Sequence, residues 1–199
     1  MAGAVYNTET MKIILFGDSE IGKTSLLLSY RFDYFPGNFI TSFPCDLQTT
    51  IDNRPVYLRF SDICGHTSFD ANFAQVFKGA DLILLCFSLI DQQSFENAKG
   101  KWMDRIRLHA PKLPIILVGL KQDLKQSAKV FDQLAAKNQR AVGYVEAKWF
   151  GDDIGAFAYV ECSAKTRYNL YKVFETAVRA VRTARYNAVQ INNKKCIIL

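Results

Sequence analysis

The stretch Gly17-Asp18-Ser19-Glu20-Ile21-Gly22-Lys23-Thr24 decides the fold, because it fits the pattern Gly-x-x-x-x-Gly-Lys-Thr. It follows an apolar run at 11–16 that predicts a buried strand, and it precedes 25–30, which predicts the first turns of a helix. The backbone N–H groups of such a loop and the positive end of the helix both favour anionic oxygens. Lys23 is expected to reach terminal phosphates and the Thr24 hydroxyl to bind Mg²⁺. The stretch therefore predicts a nucleoside phosphate site.

The bulk composition predicts one domain in a reducing compartment. The 199 residues are 49% hydrophobic and 22% charged, which is enough material for one sizeable core. No apolar run reaches the ~18 residues of a membrane span, and residues 1–6 form no secretory signal. The five cysteines are odd in number and lack metal-ligand spacing, so we expect reduced thiols.

The net charge of +6 is concentrated near the end of the chain. Residues 167–199 contain seven basic residues and one acid, Glu175. A nucleic-acid binder is expected to spread basic residues and aromatics over one face, so this distribution argues against nucleic acid. A basic tail beside a hydrophobic terminus suits an anionic membrane surface. For Arg179, Arg182 and Arg185 alone, a solvated helix face is a sufficient explanation.

Alternating strands and helices predict an α/β fold with a doubly wound, mostly parallel six-stranded sheet. Parallel strands are expected at 11–16, 56–60, 81–88, 113–119 and 156–161, and an antiparallel neighbour at 47–51. Helices are expected at 23–31, 69–78, 94–109 and 168–186. In such a sheet, ligands bind at the carboxyl ends of the strands.

Three further motifs follow predicted strands. Asp62 in Asp62-Ile63-Cys64-Gly65 stands where such proteins hold Mg²⁺ through water, and the Gly65 N–H can meet a γ-phosphate. Asp123, in the stretch 120–123, can accept hydrogen bonds from N1–H and the 2-amino group of guanine, which adenine cannot supply. The backbone of 161–165 can meet the base oxygen.

With these motifs in order, the chain resembles the Ras-superfamily small GTPases, and among them the Rho/Rac family, over essentially its whole length. The stretches that carry the resemblance to Rho/Rac are 35–39, 86–88, 94–97 with Lys101-Trp102, 113–119, and 154–157 leading into 161–164. The resemblance implies a P-loop NTPase fold, the G domain, over residues 1–186, with a Rho-type insert helix near 128–140. Residues 187–199 would form a basic tail.

The resemblance assigns a site for GTP or GDP with Mg²⁺. The nucleotide would contact Ser19, Glu20, Ile21, Gly22, Lys23, Thr24, Ser25, Phe35, Thr41, Gly65, Lys121, Asp123, Ser163, Ala164 and Lys165. Thr24, Thr41 and Asp62 would serve the metal, and Ser19, Gly65 and His66 would serve hydrolysis. In switch I, a one-residue deletion makes Thr41 the metal ligand, whereas an ungapped alignment selects Ser42. Phe35 would stack on the guanine or meet its edge.

Several residues depart from the family pattern. Ser19-Glu20 replaces a small pair beside the γ-phosphate, Ile63-Cys64 replaces Thr-Ala, and His66 replaces the glutamine that orients water. These changes predict slow GTP hydrolysis, unless His66 is only an exposed loop residue and a partner protein restores catalysis. Leu120 replaces the Asn or Thr that ties the base loop to the phosphate loop. Losing that hydrogen bond is expected to cost on the order of 0.5–1.5 kcal/mol.

The last four residues, Cys196-Ile197-Ile198-Leu199, form a C-a-a-X ending with Leu, which predicts geranylgeranylation of Cys196. One prenyl group beside Lys194 and Lys195 predicts reversible attachment to the cytoplasmic face of membranes, with a cytosolic pool. The resemblance implies effectors that bind switches I and II, exchange factors, activating proteins and a RhoGDI-like chaperone, acting on the actin cytoskeleton.

Three interpretations of the function remain open at this point. The protein is a hydrolysis-impaired switch resting in the GTP state, an ordinary cycling GTPase, or a scaffold that binds partners whatever the nucleotide. Leu120 and Glu20 favour the scaffold. The nucleotide content of the purified protein separates the three.

Overall fold

The central strand β1, Glu9–Phe16, shows how the sequence builds two cores. In the computed structural model, which describes residues 8–36, 46–62 and 73–196, this strand is buried along most of its length. Met11, Ile13 and Leu15 face one hydrophobic cluster, whereas Ile14 and Phe16 face another. Because successive side chains of a strand point to opposite faces, an uninterrupted apolar run requires cover on both sides of the sheet.

The sheet has six strands in the order β2-β3-β1-β4-β5-β6. Five strands are parallel to one another, and only β2 runs antiparallel, to β3. Besides β1, the strands are β2 (Leu47–Ile51), β3 (Arg54–Asp62), β4 (Leu82–Ser88), β5 (Ile115–Leu120) and β6 (Ala158–Glu161). The predicted doubly wound, mostly parallel sheet is therefore confirmed.

Helices cover both faces of the sheet. They are α1 (Lys23–Phe32), α2 (Phe73–Phe77), α3 (Gln92–Asn97), α4 (Met103–His109), α5 (Gln122–Lys125), α6 (Ala128–Ala135), α7 (Tyr144–Asp153) and α8 (Leu170–Cys196). One cluster contains apolar residues of α1 and α8, and the other contains those of α2, α3, α4 and α7. The order of strands and the two helical layers place the carboxyl ends of the parallel strands on a single edge of the sheet.

The helices differ from the predictions in several places. Of the helix expected at 69–78, α2 covers Phe73–Phe77, and residues 69–72 lie outside the described residues. Helix α7 and the single turn α5 were not predicted, and α8 continues past residue 186 to Cys196. The helix expected at 94–109 is a run from Gln92 to His109, interrupted by a π-helical turn at Ala98–Trp102. Within the segment 128–140 expected to hold an insert helix, α6 covers Ala128–Ala135 and none of its residues is buried.

Three arginines of α8 tie this helix to the sheet and its turns. Arg179 pairs with Asp52 at 2.8 Å, and Arg185 pairs with Asp81 at 2.7 Å. Arg182 lies 3.3 Å from both Glu9 and Asp52. The alternative of a solvated helix face fits these arginines only in part, because each has an acidic partner on the fold. Among the described helices, none has the length and hydrophobicity to cross a membrane.

Candidate nucleotide-binding site

The loop between β1 and α1 has the backbone geometry of a phosphate cradle. Gly17 adopts φ 147°, and a Cβ there would lie 2.3 Å from the carbonyl oxygen of Cys86 on β4. Gly22, at φ 111°, precedes the first residue of α1 without a side-chain cap. Both glycines are therefore required, the first by the close approach of β4 and the second by its positive φ. No side chain caps the start of α1 at Gly22, and the first amide groups of a helix favour an anion.

Lys23 is buried, with 4% of its surface exposed, and its ammonium group points back over the loop. Its Nζ donates to the carbonyl oxygens of Gly17, at 3.1 Å, and Asp18, at 2.5 Å. Neither carbonyl carries a net charge. A buried ammonium held by neutral groups provides positive charge for phosphate oxygens in an environment where charge interactions are strong.

The side chain of Asp18 fixes the other side of this loop. Its carboxylate accepts hydrogen bonds from Asn97 Nδ2 at 2.7 Å and from Trp102 Nε1 at 2.8 Å. The Trp102 ring is almost fully buried and meets Phe16 edge-on, with ring centroids 4.8 Å apart. The segment from α3 through the π-helical turn therefore holds the loop from its side, a contact that the loop motif alone does not reveal.

A cleft of about 1000 Å³ opens above the loop, at the carboxyl ends of the strands. It is lined by Ser19, Glu20, Gly22, Lys23, Thr24, Ser25, Phe35, Leu120, Lys121, Asp123, Leu124, Ala164 and Lys165. Eleven of these were predicted to bind nucleotide, and Leu120 had been noted only as a departure. Leu124 was missed, because a lone leucine on a short helical turn carries no sequence signal of its own.

Among the described residues that were predicted to bind nucleotide, Ile21 and Ser163 have side chains that do not line the cleft. Ile21 is buried among core residues, where its Cδ1 atom would lie 2.9 Å from a Cβ on Gly17. Ser163 is fully buried behind Asp123. Each supports the cleft from behind, Ile21 by packing under the loop and Ser163 through a hydrogen bond described next.

Asp123 is held in place by the buried Ser163. The Ser163 hydroxyl donates to Asp123 Oδ1 at 2.6 Å and accepts the Thr166 amide at 3.1 Å. The loops that carry these residues are also joined through their backbones, since the Gln122 amide donates to the Cys162 carbonyl at 3.1 Å. With Oδ1 engaged, the carboxylate is oriented in advance and keeps acceptor capacity for two N–H donors of a ligand.

Lys121 connects the base side of the cleft to the phosphate loop. Its Nζ donates to the Glu20 carbonyl at 2.9 Å, and both residues adopt positive φ, near 60°. Burial lowers the pKa of Lys121, and the nearby Asp91, Glu20 and Asp123 carboxylates partly oppose this shift. Leu120, only 2% exposed, packs into the core. Lys121, and not Leu120, therefore links the two loops in this structure.

Several predicted residues lie outside the described part of the chain. These are Thr41 and Ser42 of switch I, and Cys64, Gly65 and His66 after β3. Asp62 is described through its backbone as the last residue of β3, in register with Leu15 at the end of β1. The strand end predicted to bear the metal-linked acid thus lies next to the strand that leads into the loop. Cys196 is the last described residue of α8.

The residues that are present fit a nucleotide with Mg²⁺. A buried ammonium and the start of α1 lie at one part of the cleft, with the Thr24 and Ser25 side chains beside them. At the other part, Asp123 and the Lys121 stem offer a carboxylate and an apolar surface to a base. Phe35, 40% exposed, adds an aromatic face.

Comparison with known families agrees with this geometry. The Ras family model matches residues 12–183, most of the chain, and the match includes the glycine loop, Asp123 and the loop after β6. The chain belongs to the Ras family. It is therefore a small GTPase of the P-loop type, and members of this family bind guanine nucleotides with Mg²⁺ and act as switches.

Proposed function

We propose that the protein is a Rho/Rac-type GTP-binding switch that reads guanine through Asp123 and holds the phosphates with Lys23. The observation that carries this proposal is that both residues line one cleft and that hydrogen bonds hold both side chains in place. Lys23 donates to loop carbonyls, and Asp123 accepts from the Ser163 hydroxyl. A carboxylate held in this way selects a base that offers two adjacent N–H donors.

Each residue has a separate task in binding. The Lys23 ammonium and the amides at the start of α1 receive phosphate charge, and the aliphatic stem of Lys121 covers one face of the base. Phe35, whose aromatic ring lines the cleft, covers the base as well. Mg²⁺, when bound, neutralises phosphate charge, and Thr24, Asp62 and Thr41 or Ser42 are the residues that would hold it.

The finer assignment to Rho/Rac rests on the sequence resemblance and on α6, whose place within 128–140 is consistent with a Rho-type insert. Ser19 lines the cleft with an exposed side chain, which supports crowding near the terminal phosphate. Together with His66 in place of the water-orienting glutamine, it supports slow intrinsic hydrolysis. The resemblance further supports signalling to the actin cytoskeleton from a prenylated, membrane-attached state.

The test is the identity of the nucleotide that copurifies with the protein, followed by its displacement. We expect GTP as the main copurifying nucleotide, displaced by GTP or GDP but not by ATP. The Asp123→Asn variant should lose at least about 100-fold in affinity for GTP, because two hydrogen bonds to a charged acceptor are worth about 1.5–3 kcal/mol each. Lys23→Ala should also bind weakly. Equal displacement by ATP and GTP would contradict the proposed base specificity.

Two alternatives make different predictions in the same measurement. GDP as the copurifying nucleotide would favour an ordinary cycling GTPase. A nucleotide-free protein would favour a scaffold, for which Leu120 and Glu20 are the supporting features. The Lys121–Glu20 hydrogen bond argues against the scaffold, because it connects the base loop to the phosphate loop.

A further inference from the structure

Asp33, Arg167 and Tyr171 form a polar cluster that joins two distant parts of the chain beside the cleft. Arg167 Nη1 donates to the Asp33 carbonyl at 2.8 Å. The Asp33 carboxylate oxygen Oδ1 accepts from both Arg167 Nη2 and the Tyr171 hydroxyl, and these two donors are themselves 2.5 Å apart. We name these three residues the clasp. The two bonds to the carboxylate are charge-assisted, which makes them stronger than neutral hydrogen bonds.

Both ends of the clasp lead directly to residues that line the cleft. Asp33 ends α1 in a left-handed conformation, φ 64°, and stands two residues before Phe35. Arg167, also at φ 64°, stands two residues after Lys165. The clasp therefore fastens the segment that carries Phe35 to the loop that carries Ala164 and Lys165.

The Tyr171 ring of the clasp belongs to a group of packed aromatic rings. The Tyr171 ring meets Tyr30 edge-on, with centroids 5.5 Å apart, and Tyr30 stacks on the buried Phe174 at 3.8 Å. The Arg167 guanidinium lies 5.4 Å from the centroid of the Tyr171 ring. The polar ends remain partly exposed, since the side chains of Arg167 and Asp33 keep 34% and 65% of their surface. The bonds can therefore open to solvent while the rings stay packed.

We propose that the clasp holds Phe35 against the bound guanine base and thereby sets the rate at which nucleotide leaves the cleft. This inference rests on the proposed function, because it needs a base at the position that Phe35 and Asp123 share. Phe35 forms a wall of the cleft and follows Asp33 by only two residues. We expect withdrawal of Phe35 from the base to displace Asp33, and such a displacement would break the bonds to Arg167 and Tyr171.

At neutral pH, Asp33 and Tyr171 are in the protonation states that their hydrogen bond requires. The hydrogen bond from Tyr171, with a further contribution from Arg167, lowers the pKa of Asp33, so the carboxylate is ionised at neutral pH. The same carboxylate raises the pKa of Tyr171, which keeps its proton to donate.

The experiment measures dissociation of a fluorescent GDP analogue from the full chain, with Mg²⁺ present and unlabelled GDP in excess. Tyr171→Phe removes one hydroxyl and keeps the ring on Tyr30, while Asp33→Asn removes the acceptor charge. We expect each variant to release nucleotide at least fivefold faster with an unchanged association rate. The control is Asp152→Asn, which breaks the exposed ion pair of Asp152 with Lys148 on α7, away from the cleft. It should leave the rate unchanged.

A second measurement distinguishes positioning of Phe35 from a general structural role. We expect the Phe35→Ala variant to release nucleotide quickly, because it lacks the aromatic wall of the cleft. In that background, Tyr171→Phe and Asp33→Asn should add almost nothing. Unchanged rates in the single variants, or full additivity with Phe35→Ala, would overturn the clasp while leaving guanine binding intact. A wild-type protein without affinity for guanine nucleotides would instead overturn the proposed function and the clasp together.

Discussion

Lys121 connects the base side of the cleft to the phosphate loop although its neighbour Leu120 has no hydrogen-bonding side chain. Leu120 occupies a position where the family carries a hydrogen-bonding residue, and its side chain is buried in the core. The Lys121 ammonium reaches across the cleft to the Glu20 carbonyl, 2.9 Å away. The bond is available because Glu20 adopts φ 61°, a conformation that costs an L-residue roughly 1–2 kcal/mol. The sequence did not predict this bond, because it depends on backbone conformations that no motif records.

Ser19 and His66 carry the prediction about hydrolysis. Ser19→Gly combined with His66→Gln should accelerate single-turnover GTP hydrolysis by more than either change alone, and by at least about tenfold, or about 1.4 kcal/mol of barrier. We expect this gain because the Ser19 side chain is proposed to crowd the terminal phosphate and His66 to orient water less well than glutamine. Both act on one transition state, so the two effects should be non-additive.

The measurement is a single-turnover assay on fully GTP-loaded protein, with GTP affinity determined in parallel. Affinity should remain nearly constant, because both changes leave the Lys23 ammonium and the amides at the start of α1 in place. Thr41→Ala serves as a comparison, since it should weaken GTP binding relative to GDP without speeding hydrolysis. A wild-type rate equal to that of a Gly- and Gln-bearing relative, with no gain in the double variant, would return the protein to the ordinary cycling class.

At the scale of elements, the π-helical turn at Ala98–Trp102 explains how α3 and α4 serve the phosphate loop. A continuous helix was predicted over 94–109, but the wider turn changes the phase of the residues that follow it. Trp102 lies in this turn, packs against Phe16 and donates to Asp18. Such turns often mark functional sites. Here the turn delivers a buried donor to the loop that binds phosphate.

Trp102→Phe and Asn97→Ala test whether this contact affects nucleotide binding. Each variant removes one hydrogen bond to the Asp18 carboxylate, and a hydrogen bond to a charged group is worth about 1.5–3 kcal/mol. If that energy supports nucleotide binding, the affinity for GTP should fall at least about tenfold. Trp102→Phe keeps an aromatic ring against Phe16, and Asn97→Ala changes little volume. Affinity by titration and Tm by calorimetry are measured for both.

The control for this pair is Lys99→Ala, which lies in the same segment and pairs with Glu96 at the surface. It should change neither quantity appreciably, as exposed ion pairs contribute little. If Asn97→Ala and Trp102→Phe lowered Tm but left the affinity for GTP unchanged, the contact to Asp18 would serve only the stability of the fold.

For the whole molecule, the sequence predicted the sheet and the cleft, because both follow from local patterns. The apolar runs of β1, β4 and β5 are buried on both faces, and the glycine loop, Asp123 and 164–165 all follow strand ends. Helix α7 was missed because its apolar residues do not follow a helical period. Ala147 and Phe150 are buried, whereas Val145 and Trp149 are among the most exposed large side chains. The contacts of Ser163, Trp102 and the clasp depend on residues 40 to 138 positions apart.

The basic end of the chain has two parts with different consequences for the whole protein. Arg179, Arg182 and Arg185 have acidic partners on the fold, which reduces the charge that they offer to an anionic surface. Lys194 and Lys195 come nine and ten residues after Arg185 and directly precede Cys196. If Cys196 is prenylated as proposed, the lipid and these two lysines should account for most of the attachment.

Cys196→Ser should therefore release the protein from membranes, because two lysines worth about 1 kcal/mol each cannot hold it without the lipid. Replacing Lys194 and Lys195 by Gln should weaken attachment only partly. Arg185→Gln is the matched control, since it removes one positive charge from the same helix but from a residue already bound to Asp81 and to the Thr10 carbonyl. It should leave attachment nearly unchanged. The measurement is the fraction that sediments with anionic vesicles or cell membranes. Full sedimentation of the Cys196→Ser protein would show that a protein partner, and not a lipid, provides the anchor.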